Sequence, residues 1–155
     1  MDLGLTGKVA LVTGSSRGIG RSIAETLAAE GCDVMLTGRD EAALKDVAVQ
    51  LAKAGRTARH STLDLSDGKA PAALIADVTR HFGRLDILVN NAGATERGDF
   101  RDLTDTDWKD GFELKFFAHV RLAREAWPLL KASAGSLITI AGTRSPPPSL
   151  AIEDV

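Results

Sequence analysis

Apolar and polar positions along this chain fall into two alternating kinds of block. Five short segments, residues 8–13, 33–37, 57–62, 85–90 and 136–140, read as strands, some of them apolar on both faces. That is the signature of parallel strands covered by helices on each side. Between them apolar residues recur at helical spacing. Residues 22–30 open a first helix. Residues 41–54 carry Leu44, Val47, Ala48 and Leu51, and residues 67–82 carry Leu74, Ile75 and Val78. A long segment, residues 105–132, carries Trp108, Phe112, Phe116, Val120, Ala123 and Trp127. Thr104 or Asp105 is placed to cap it, with Asp107 in its first turn.

The alternation β-α-β-α-β-α-β-α-β, without repeats or a long linker, predicts an α/β domain of the Rossmann type. Its doubly wound parallel sheet has about five strands in the order 3-2-1-4-5, with right-handed crossovers. A ligand crevice is expected at the carboxyl edge, between strands one and four. After the fifth strand, Arg144-Ser145-Pro146-Pro147-Pro148-Ser149 can continue neither a strand nor a helix and reads as a loop.

Directly after the first strand, Val9-Ala10-Leu11-Val12, comes Thr13-Gly14-Ser15-Ser16-Arg17-Gly18-Ile19-Gly20. A strand, a glycine turn and a helix in that order present backbone N–H groups to a diphosphate. Gly14 lets the chain turn off the strand, Gly18 lets backbone approach phosphates, and Gly20 lets the helix pack near the sheet. The spacing, Gly-x-x-x-Gly-x-Gly, is a variant of the common dinucleotide fingerprint.

Composition narrows the classes. Apolar content is 44%, charged content 26% and net charge −2, values of a globular chain with no general affinity for nucleic acid or anionic membrane. No basic stretch with an apolar core opens the chain, and no apolar run reaches the length of a membrane span, so the cytoplasm is the expected compartment. The one cysteine, Cys32, reads as a small buried residue. His60, His81 and His119 have no partners at metal spacing and read as solvated or capping residues, so no metal is expected.

Further motifs lie on the right elements: Asp64-Leu65 after the third strand, Asn90-Asn91-Ala92-Gly93 at the end of the fourth, and Gly135-Ser136-Leu137-Ile138-Thr139-Ile140 as the fifth. With the glycine run, they make the whole chain resemble the amino-terminal, cofactor-binding half of the short-chain dehydrogenase/reductase family. The resemblance implies that residues 1–155 are one NAD(P)-binding domain, short of the family's later strands. It implies hydride transfer between a nicotinamide and a small carbonyl or alcohol substrate. Gly14, Ser16, Arg17, Gly18, Ile19 and Gly20 then cradle the pyrophosphate and adenosine ribose. Asp64 accepts from the adenine amino group, with Leu65 alongside the ring. Asn91, Ala92 and Gly93 line the ribose side, and Asn90 or Asn91 also ties strand backbones together. The long helix implies a homodimer or homotetramer.

The end of the second strand reads Thr37-Gly38-Arg39-Asp40. Gly38 stands where an NAD-selective site carries a carboxylate against the ribose 2′-hydroxyl. Arg39 and Arg17 offer two guanidinium forks to a 2′-phosphate, so NADP(H) is expected over NAD(H). Asp40 reads as a helix cap, with a ribose contact as its alternative.

The family's proton chemistry uses a Tyr-x-x-x-Lys pair, a serine and an asparagine. The chain contains no tyrosine. Counted from Trp108, the asparagine position falls on Lys115, and the serine position falls on Gly142, next to Thr143. Lys115 and Thr143 are the remaining catalytic candidates, Lys115 with a plain helix-surface lysine as its alternative. Two readings stay open: the cofactor-binding portion of an oxidoreductase, inactive by itself, or a dinucleotide-binding module without turnover.

Overall fold

A computed structural model describes residues 3–93, 99 and 101–141. The elements are β1 (Val9–Thr13), α1 (Gly18–Ala29), β2 (Asp33–Gly38), α2 (Glu41–Lys53), β3 (Ala58–Thr62), α3 (Ala70–Phe82), β4 (Ile87–Asn90), α4 (Asp105–Phe112), a π-helical turn (Glu113–Phe117), α5 (Ala118–Ser133) and β5 (Ser136–Thr139). The five strands form one parallel sheet in the order β3-β2-β1-β4-β5, as expected.

Strand alternation divides the core. Val9, Leu11, Met35 and Leu88 point to one face, where Leu74 and Val78 of α3 and Leu122, Ala126 and Leu130 of α5 cover them. Ala10, Val12, Val34, Leu36 and Val89 point to the other, against Ala24 and Ala28 of α1 and Leu44, Val47 and Leu51 of α2. Cys32 lies buried in that second layer, where burial pushes its thiol pKa up.

Four expectations need correction. The first helix begins at Gly18, inside the glycine run, rather than at residue 22. The third begins at Ala70 rather than 67, because Asp67 closes a turn through its side chain to the Lys69 N–H and Pro71 supplies the first helical turn. The long helix is not uniform. It starts on a Thr104–Asp107 capping box and widens into the π turn before α5. Its aromatic stripe does not enter the core: Phe112, Phe116 and Trp127 are exposed, Trp127 to 62%. The buried stripe is the quieter Ala118, Leu122, Ala126, Leu130.

At the end of β4 opposite the glycine run, Asp86 binds the sheet together. Its carboxylate accepts from the Val9 N–H at 2.9 Å and from Nε and Nη2 of Arg84, and Lys8 lies 3.4 Å away. Among the described residues no helix is long and apolar enough to cross a membrane.

Candidate functional site

The carboxyl ends of all five strands converge on one crevice. Its geometry starts with Gly14, which leaves β1 at φ +66°, a backbone that side chains resist. Ser15 then ties the turn to β2: its N–H donates to the Thr37 carbonyl at 3.1 Å, and the Thr37 N–H donates to its Oγ at 3.0 Å. Gly18, at φ +57°, faces open space, with nothing within 4 Å of where a Cβ would stand. Gly20 is the reverse case: a Cβ there would lie 2.3 Å from the Gly14 carbonyl oxygen, so only glycine lets α1 pack this close. The residue before α1, Arg17, is extended and makes no side-chain cap. The first N–H groups of the helix therefore point at the crevice without a side-chain acceptor, an arrangement suited to an anion.

The Asn90–Asn91 pair divides its work. Asn91 Nδ2 donates to the carbonyls of Thr13, at 2.9 Å, and Gly14, at 3.4 Å. The Asn91 and Ala92 N–H groups both donate to Thr13 Oγ1 at 2.9 Å. Asn91 is thus the clasp between β4, β1 and the glycine turn. Asn90 is 1% exposed, and its Nδ2 donates to the His119 carbonyl at 3.4 Å.

His119 is the one histidine misjudged from sequence. It is 8% exposed, and its Nε2 lies 2.7 Å from the Ala92 carbonyl. A carbonyl only accepts, so Nε2 carries the proton in this contact. The ring props the segment after β4 from below rather than meeting solvent.

All twelve residues expected around a dinucleotide line the same crevice of about 500 Å³, a volume within the range of cofactor sites. Gly14, Ser16, Arg17, Gly18, Ile19 and Gly20 form its floor. Arg39, Asp64 and Leu65 form the wall after β2 and β3; Asn91, Ala92 and Gly93 form the wall after β4. Lys115 lines it too, from the π turn, and is exposed there. Thr143, with Gly142, lies outside the described residues. Leu63, Leu114, Ile140 and Ala141 also line the crevice. They were missed because apolar residues flanking a strand end or a helix carry no chemical signature of their own.

The crevice is cationic. Arg17 and Arg39 are exposed, and their guanidinium groups form no hydrogen bond or ion pair among the described residues. Asp64 accepts from the Ser66 hydroxyl at 2.7 Å and the Ser66 N–H at 3.0 Å, and Arg39 adds a Coulombic pull; together they hold its carboxyl below the usual value. Asp40 is taken up as the cap of α2, accepting from the Ala43 N–H at 3.0 Å, and does not line the crevice.

Comparison with known proteins agrees with this geometry. The profile of the short chain dehydrogenase family matches residues 8–150. A 3-oxoacyl-(acyl-carrier-protein) reductase of Salmonella typhimurium is 37% identical over 135 residues, covering 86% of this chain and 54% of the reductase. Among solved structures, the L-sorbose reductase of Gluconobacter frateurii, complexed with NADPH and L-sorbose, superposes with a TM-score of 0.86 at 38% identity. The match covers 90% of this chain and 54% of that one. A short-chain dehydrogenase/reductase from Burkholderia phymatum in complex with NAD gives 0.82 at 28% identity, over 87% of this chain and 49% of that one. The chain spans about half the length of the curated relatives it matches. By fold, motif order and similarity, it belongs to the short chain dehydrogenase family.

Proposed function

We propose that residues 1–155 form one NAD(P)-binding domain of an NADP(H)-dependent oxidoreductase acting in the cytoplasm on a small carbonyl or alcohol substrate. When bound, the cofactor supplies or accepts the hydride. The chain's own residues bind and orient it. The glycine turn and the uncapped start of α1 hold the diphosphate. Asp64, its carboxylate kept ionised, accepts from the adenine amino group, and Leu65 lies alongside the ring. Asn91, Ala92 and Gly93 line the far ribose.

The observation that carries the choice of NADP(H) is the end of β2. A side chain on Gly38 would grow toward Ser16, whose Oγ lies 3.5 Å from the Cβ position. A carboxylate grown there would meet a 2′-phosphate and repel it. Glycine leaves that space open, and the two unpaired guanidinium groups beside it suit a phosphate dianion. The known relatives do not decide between the cofactors, since one structural neighbour holds NADPH and another NAD.

A second reading, a dinucleotide-binding module without turnover, is favoured by Lys115, which stands where the family's active pattern carries asparagine. Trp108, Phe112, Phe116 and Trp127, exposed on one helical stripe, support a homodimer or homotetramer seated on that face.

Calorimetric titration with NADPH and NADH tests the reading. Micromolar NADPH binding with weaker NADH binding is expected. Arg39→Ala should weaken NADPH roughly ten- to hundredfold, the size of a lost charge-assisted hydrogen bond, and NADH by less than about threefold. Equal losses for both cofactors refute the phosphate assignment.

A further inference from the structure

Lys115 stands apart from the other cations of the crevice in how it is held. Its stem lies across Gly93. A Cβ built on Gly93 would come within 2.7 Å of Lys115 Cε, 2.9 Å of Cγ and 3.4 Å of Cδ. Gly93 has no positive φ, so its backbone does not call for glycine. The space it leaves is filled by the lysine stem, which runs over the end of β4, and Lys115 is part of the crevice lining.

Two further features keep the Lys115 ammonium available. Lys115 is the central residue of the π turn, a local widening that costs regular helix geometry and recurs at functional positions. The acid nearest it in sequence, Glu113, is engaged by Arg121, which also lies over the Phe117 ring. Asp64, on the opposite wall, is engaged by Ser66. Among the described residues the Lys115 side chain forms no ion pair or hydrogen bond.

Position assigns the ligand atoms. In a doubly wound sheet a dinucleotide lies across the switch point with its diphosphate on the first turn. Arg39, after β2, marks the adenosine end. Lys115, across Gly93 at the end of β4 and lining the same crevice as Ile140 and Ala141 after β5, marks the other end. We infer that Lys115 is the cation of the nicotinamide half: its ammonium donates to the hydroxyls of the nicotinamide ribose and fixes that ring system over β4. This rests on the dinucleotide reading above. Gly93 serves it by leaving a track for the stem.

The test uses two ligands of comparable negative charge, NADPH and adenosine 2′,5′-bisphosphate. The second keeps the Arg39 half and lacks the nicotinamide riboside. Binding of each to this chain is measured by calorimetry. Lys115→Ala is expected to weaken NADPH roughly tenfold or more, as for a lost charge-assisted hydrogen bond, and to change the bisphosphate by less than about twofold. Gly93→Ala should reproduce the loss in the parent chain and cost little more in the Lys115→Ala background. An equal loss for both ligands reduces Lys115 to a general field and overturns the assignment. So does unchanged NADPH binding, or a Gly93→Ala loss that persists without the lysine. If the parent chain binds neither ligand, the dinucleotide reading itself falls, an outcome distinct from the others. Circular dichroism of each variant confirms that the fold is kept.

Discussion

Replacing Gly20 with alanine sets two effects against each other, and the geometry says which prevails. Gly20 lies within α1, where alanine is favoured over glycine by about 0.5–1 kcal/mol. Its new Cβ, however, would stand 2.3 Å from the Gly14 carbonyl oxygen and 2.5 Å from Asn91 Nδ2. Ordinary contact begins near 3.4 Å. The start of α1 must therefore withdraw from the turn by about 1 Å, a shift a close-packed interior resists. Neither neighbour is free to yield, because the Asn91 amide is itself bonded to Thr13 and Gly14. Overpacking of this kind costs ~1–3 kcal/mol, and a displaced Asn91 clasp adds ~1 kcal/mol. After the helix-propensity gain, a net loss of ~1–3 kcal/mol remains, which for a chain of this size lowers Tm by about 3–10 °C. Gly38→Ala is the matched control: its nearest neighbour is 3.5 Å away and its φ is not positive, so stability should stay within about 0.5 kcal/mol. Thermal and urea unfolding followed by circular dichroism measure both variants. A Gly20→Ala chain that melts within about 2 °C of the parent, or a Gly38→Ala chain that falls equally far, would refute the close-approach argument.

Two other substitutions probe the supports of the crevice. Burial pushes the Asp86 pKa up, but the hydrogen bonds from Arg84, the Val9 N–H and Lys8 outweigh it and hold the carboxyl below its ordinary value. A carboxyl depressed in the folded state contributes stability above its unfolded pKa of about 3.9 and loses it as pH falls through the folded value. Asp86→Asn should therefore cost ~1–2 kcal/mol near pH 7, a moderate figure because Arg84 and Lys8 are partly solvated, and flatten the acid limb of a stability–pH curve. An unchanged acid limb would show that Asp86 does not govern it. Thr13→Val removes the acceptor shared by the Asn91 and Ala92 N–H groups and should cost ~2 kcal/mol in urea unfolding while weakening NADPH binding. A stability loss with binding intact would mean that the clasp does not shape the β4 wall.

The sheet order and the crevice were legible because β1 and β2 are nearly unbroken apolar runs and the glycine turn follows the first of them directly. What escaped did so for local reasons. The start of α1 hides behind two glycines, poor helix formers, and an arginine that caps nothing, so the usual Ser, Thr or Asp signal is missing. Asp67 imitates a cap but spends its carboxylate on a turn. The π turn has no residue signature, since a widened turn is set by packing rather than by propensity. The aromatic stripe of the long helix is louder than the alanine–leucine stripe, yet the sheet accepts the smaller side chains, which let α5 approach. His119 looked solvated because nothing in its sequence neighbourhood shows that a carbonyl two residues past β4 lies above it.

The sheet is not equally firm across its width. β1 is buried along its whole length, while every residue of β5 is exposed. The adenosine wall of the crevice rests on β2, buried along its centre, and on β3, the other outer strand, which is buried at Ala58 and Ser61. The opposite wall, Ile140 and Ala141, rests on an outer strand anchored at its end by the Ile140 N–H donating to the Asn90 carbonyl at 2.9 Å. Local opening is cheapest at such a margin and dearest at the centre. In this chain, which spans about half the length of its relatives, a ligand across the crevice joins the buried centre of the sheet to an exposed strand, so part of its binding energy goes to ordering β5. Affinity for the whole dinucleotide then falls short of what its two halves would give on an evenly ordered surface, and any added order along β5 returns as tighter binding at a site it never touches.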